Sequence, residues 1–69
     1  MPLSFMKTGE KNTIKRITGR EETKRFLESL GFVVGASITV VSEIGGNMIL
    51  NVKDSRIALD KDMARRIVV

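Results

Sequence analysis

Leu27-Glu28-Ser29-Leu30-Gly31-Phe32-Val33-Val34-Gly35-Ala36-Ser37-Ile38-Thr39-Val40 is the stretch on which the fold turns. Upstream of Gly31 the spacing is helical: Phe26, Leu27 and Leu30 share one stripe, while Glu21, Lys24, Arg25 and Glu28 line the opposite side. Downstream, β-branched and aliphatic residues take over. Gly31 stands where a left-handed C-terminal cap is wanted, and Gly35 gives the backbone freedom to enter a strand. Thr18, three residues before Glu21, reads as a capping box, so a helix of about three turns is expected over residues 20–30.

Working outward from this block, residues 36–43, 48–53 and 56–59 form three strand-like segments in close succession. Gly45-Gly46-Asn47 and Lys53-Asp54-Ser55 supply two tight turns, so an antiparallel meander is expected. Its inward faces are Ile38 and Val40, then Met48, Leu50 and Val52, then Ile57 and Leu59. Asp60 caps a single helical turn through Met63 and Ala64, and residues 65–69 end the chain as a strand that sends Arg65 and Arg66 to opposite sides. On the other flank, Leu3 and Phe5 alternate with Ser4, Lys7-Thr8-Gly9-Glu10 turns, and a first strand covers residues 12–18. Ile14 and Ile17 are three apart, which a β-bulge reconciles by letting both face the core. The expected fold is mainly β: a small barrel of about five strands with one α-helix after the first strand.

The 69 residues make one domain, 1–69, without a linker, repeat or charge block, and a chain of this size builds only a thin core. Cysteine and histidine are both absent, which removes disulfides, thiolate chemistry, the commonest neutral-pH base and the commonest transition-metal ligand. No Gly-rich phosphate loop and no nucleophile with its base can be assembled, so an enzyme is not expected and no catalytic, cofactor or metal residue is assigned. Without cysteine, without an apolar run of the ~20 residues that span a bilayer and without a signal-like start, a cytoplasmic setting is expected.

Three candidate surfaces follow. Glu21-Glu22 and Asp60-Lys61-Asp62 offer hard oxygen ligands, but acids belong in a first helical turn and Asp60 is a natural N-cap, so they are read as structural. The net charge of +4 is carried in part by Lys15, Arg16, Arg20, Lys24, Arg25, Arg65 and Arg66, much of it expected to pair along the helix as Glu21 with Arg25 and Lys24 with Glu28. With three Phe and neither Tyr nor Trp to stack on bases, a nucleic-acid partner is not expected. The third surface is apolar: Phe5, Met6, Phe32, Val33 and Ile44 fall in predicted termini or loops, and several of them together would make a docking patch. Phe5, Phe32, Val33 and Ile44, with Arg20 and Lys24, are the partner-binding candidates.

Leu3, Gly9 and Ile14, the block from Leu27 through Val40 ("LxxLGfxxGxxixV"), and the ending from Ile57 through Val69 ("iaLxxxxAxxIxV") resemble the FeoA domain across the whole chain. The family often has a proline in the loop where Gly45-Gly46-Asn47 stands here, and a glycine at the position of Asp54. The resemblance implies an SH3-like barrel that acts in ferrous iron uptake by binding the cytoplasmic, GTPase-containing part of the FeoB-type membrane transporter, as a monomer or weak dimer. Transition-metal binding is a family-level property that no residue here is assigned to carry. The alternatives are an SH3-like regulatory module similar to the C-terminal domain of iron-dependent repressors, and an RNA- or ribosome-associated barrel favoured by the pI of about 10.0.

Overall fold

The helix α1, Glu21–Ser29, ends as the Leu27–Phe32 block requires. Gly31 adopts φ 103°, and its N–H donates to the Glu28 carbonyl at 3.0 Å while the Phe32 N–H reaches back to the Leu27 carbonyl at 3.0 Å. These two bonds are the Schellman motif, which satisfies carbonyls that the helix end would otherwise leave free. Leu27 and Phe32, the residues that flank the motif, are both fully buried in one core cluster. The computed structural model that shows this describes residues 1–69.

The N-terminus of α1 departs from expectation. Arg20 is the N-cap residue and makes no side-chain cap bond. Thr18 does not close a capping box, because both its hydroxyl (3.2 Å) and its N–H (2.7 Å) donate to the carbonyl of Arg66. A backbone already committed to a strand partner cannot also turn into the helix, so the helix starts later.

The first strand is two strands. β1, Lys11–Thr13, runs antiparallel to β3, Ser37–Ile44, while β2, Arg16–Ile17, runs antiparallel to β6, Ile67–Val68. At the junction Ile14 still donates to Ala36 O at 2.9 Å and Lys15 already donates to Val68 O at 2.8 Å. The chain changes sheets between them, which places Ile14 in the core and packs Ile17 against it without the expected bulge. A register shift does occur, between Val40 and Ser42 of β3.

The meander forms as read. β3, β4 (Asn47–Val52) and β5 (Ser55–Asp60) pair antiparallel in a sheet of order β1-β3-β4-β5. Gly45-Gly46 (φ 55° and 83°) and Lys53-Asp54 (φ 48° and 64°) are two-residue turns with both central residues left-handed, the geometry that matches strand twist. Ile38, Val40, Met48, Leu50, Val52 and Leu59 are buried, and Ile57 packs partly buried against them.

Asp60 accepts the Met63 N–H at 2.8 Å and so caps α2, Lys61–Ala64. Arg65 and Arg66 lie in the turn after α2 and not on the last strand, which is correspondingly shorter than expected. β6 is bordered on both sides: β2 on one, and Pro2 bridging Val68 on the other, with the Met1 ammonium on Val69 O (3.0 Å) and the Val69 N–H on Met1 O (2.8 Å). The result is six short strands in two sheets around one core of 14 buried residues, all of them hydrophobic. Each large side chain removed from water there contributes about 1.5–3 kcal/mol, so single core positions matter.

Candidate functional site

Individually exposed apolar side chains and one basic cleft stand out. In the 3-10 turn Leu3–Phe5, residues two apart point in different directions, so with Leu3 buried Phe5 is turned outward and is 70% exposed. Ile44, at the end of β3 beside the Gly45-Gly46 turn, is 66% exposed. Both side chains stand in solvent. Val33 is only half-buried.

Phe32 is a correction: it is completely buried. The Schellman bonds fold the residue after Gly31 back under the helix, where its ring fills the core, so it presents nothing to a partner. Met6 is buried as well. Conversely, Phe26 and Val34 are exposed large apolar residues that sequence reasoning did not single out as surface. On α1 Leu27 alone is buried and Leu30, at the cap, is half-buried, so the stripe covering the core is narrower than the helical pattern implies. Val34 follows Val33 in a connection whose alternation gives no sign of which valine faces in.

The basic surface gathers around the start of α1. Gly19, Arg20, Thr23 and Arg66 line a surface cleft of about 470 Å³. An added Cβ at Gly19 would lie 3.4 Å from Arg66 Cδ and 3.8 Å from Thr23 Cβ, so the Arg66 stem crosses directly over this glycine. Arg20 is exposed and Lys24 half-buried. The expected pairs Glu21 with Arg25 and Lys24 with Glu28 do not form: the ion pairs are Lys61 with Glu43 and Arg65 with Asp62. Among the acids, Asp60 is occupied as the cap of α2 and Asp62 pairs with Arg65. No three His, Cys, Asp or Glu side chains are brought together as a metal group.

A meander that shares its core with a second, two-stranded sheet holding both chain ends, with one helix crossing between them, defines a small SH3-like domain. The model of the FeoA domain matches residues 1–69, and the chain belongs to the FeoA family, which is implicated in ferrous iron transport. A Methanocaldococcus jannaschii protein named Fe(2+) transport protein A is 32% identical over 68 residues, 99% of this chain and 83% of that one. The crystal structure of an iron uptake regulatory protein, FeoA, superposes with a TM-score of 0.90 at 32% identity, covering 97% of this chain and 91% of the other. Stenotrophomonas maltophilia FeoA complexed with zinc, described as a procaryotic SH3 domain protein, gives 0.86 at 28% identity over 100% and 88% of the two chains. A manganese-dependent transcriptional repressor gives 0.87 at 20% identity, with 97% of this chain matching 39% of it; this likeness is one of fold.

Proposed function

We propose that the chain is a small, non-enzymatic accessory protein of ferrous iron uptake that works in the cytoplasm by binding the GTPase-containing part of a FeoB-type membrane transporter. The observation that carries this reading is membership of the FeoA family over the full length of the chain. The mechanism is contact. Phe5 and Ile44 are large apolar side chains exposed on a domain whose core is already filled, and burying such groups is what drives protein association. Val33, Arg20 and Lys24 complete the partner-binding set, and the chain acts as a monomer that pairs at most weakly. A manganese-dependent transcriptional repressor shares the fold, and the second reading is a regulatory protein-interaction module.

The test is a binding titration of the purified chain against the isolated cytoplasmic region of a FeoB-type transporter, with and without Phe5→Glu and Ile44→Glu. Both residues are exposed, so the variants are expected to keep the wild-type melting temperature and to lose binding by at least about tenfold. Unchanged affinity in both would move the docking face elsewhere. No binding by the wild-type chain, together with capture of a repressor, would favour the regulatory reading.

A further inference from the structure

We infer that the free edge of β5 is a self-pairing surface, at which two copies of the chain join antiparallel through residues 56–60 about a two-fold axis at Ala58. The inference is independent of transporter binding, because it concerns only a second copy of this chain. β5 is the outer strand of the order β1-β3-β4-β5 and keeps an unbroken register with β4 from Ser55 to Asp60. The two-residue turn makes Val52 and Ser55 a hydrogen-bonded pair, so the alternation of an antiparallel ladder aims the backbone groups of Ser55, Ile57 and Leu59 at β4. Those of Arg56 and Ala58 face outward, and no turn, loop or cap bond of the protein reaches them. The chain does not fold back over them: α2 leaves β5 at Asp60 and turns across the sheet, where Lys61 pairs with Glu43 of β3. Free edges are commonly blunted by proline, a bulge or extreme shortness. β5 has none of these, and at six residues it is twice the length of β1, the other edge of its sheet, which has three.

The order of residues is what selects a second copy. Arg56 and Asp60 stand two places either side of Ala58, and all three lie on the exposed face of the strand. Centring the pair on Ala58 therefore sets Arg56 of each copy opposite Asp60 of the other, with Cβ atoms about 5 Å apart. Arg56 has no ion-pair partner within its own chain, and Asp60 uses one carboxylate oxygen, for the Met63 N–H. The same centring matches the backbone: the two Ala58 residues exchange N–H and carbonyl, and each Asp60 N–H meets the Arg56 carbonyl of the other copy. Ala58 at the axis is small enough to face its twin. A few ladder bonds and two exposed ion pairs make a weak, concentration-dependent dimer.

The experiment is sedimentation equilibrium of the full chain from micromolar to millimolar concentration, with amide spectra of the labelled chain recorded over the same range. A monomer–dimer equilibrium is expected, with concentration-dependent shifts centred on Arg56, Ala58 and Asp60. Ala58→Lys sets two like charges face to face at the axis, and Arg56→Asp turns both ion pairs into repulsions; each is expected to weaken pairing at least about tenfold. Both positions are exposed, and unchanged melting temperatures verify that the variants fold. Lys11→Asp, the same charge reversal on exposed β1, is expected to change pairing less than about twofold. Shifts that arise elsewhere on the surface, or a dimer that Ala58→Lys and Arg56→Asp leave intact, would overturn the inference. So would a chain that stays monomeric at millimolar concentration; if the isolated cytoplasmic region of a FeoB-type transporter then shifts the same β5 amides, the edge belongs to that partner instead.

Discussion

Asp54 and Lys53 are the only non-glycine residues with positive φ, 64° and 48°, and they stand together at the centre of the β4–β5 turn. A left-handed conformation costs an ordinary L-residue about 1–2 kcal/mol, less for Asp, whose short polar side chain tolerates it. Replacing Asp54 with glycine removes that cost but loosens the unfolded chain, so Asp54→Gly is expected to stabilise the domain by a net of about 0.5 kcal/mol. A higher urea midpoint with an unchanged slope would be the sign; a lower midpoint would mean that the aspartate contributes something its backbone angles do not reveal. The contrast with Gly45-Gly46, where the same geometry is carried by residues that adopt it freely, shows how one turn type is reached by two chemistries.

At the scale of elements, α2 is too short to hold itself together, since nucleating a helix fixes several residues for few hydrogen bonds. Its stability comes from attachments: the Asp60 cap, the Lys61 N–H on the Gly46 carbonyl at 3.2 Å, and the Lys61–Glu43 ion pair. The ion pair is half-exposed and contributes well under 1 kcal/mol. The cap is worth more. Asp60→Ala is expected to cost about 1 kcal/mol and to lower the melting temperature by roughly 4–8 °C, followed by circular dichroism. A loss as small as that of Glu43→Ala would show that burial of Ala64, and not the cap, holds the turn.

For the molecule as a whole, the division between a thin filled core and a few apolar side chains left outside is what matters. A domain of this size has a total stability of roughly 3–10 kcal/mol. Phe32→Ala removes a fully buried ring and is expected to cost about 3–5 kcal/mol, a large share of that total. Phe5→Ala, by contrast, is expected to change stability by less than about 0.5 kcal/mol. Thermal melts of the two variants separate a core phenylalanine from a surface one; a stable Phe32→Ala protein would mean that the ring is not where the core draws its stability.

The features legible in the amino-acid sequence are those governed by local physics. The helix end at Gly31, the two tight turns, the Asp60 cap and the inward faces of the meander each depend on neighbours within a few residues, and each is found where the pattern placed it. Other features depend on residues far apart in the chain. Whether residues 12–18 made one bulged strand or two was decided by Ala36 and Val68, which claim Ile14 and Lys15 for different sheets. The capping box at Thr18 was lost to the carbonyl of Arg66, and the same contact brought Arg66 over Gly19 beside Arg20. Phe5 and Phe32 look alike in composition and setting, yet one is outside and one inside. Local pattern determined the elements, because a turn or cap is satisfied within a handful of residues; tertiary structure alone decided the surface, because exposure depends on what the rest of the chain has already covered.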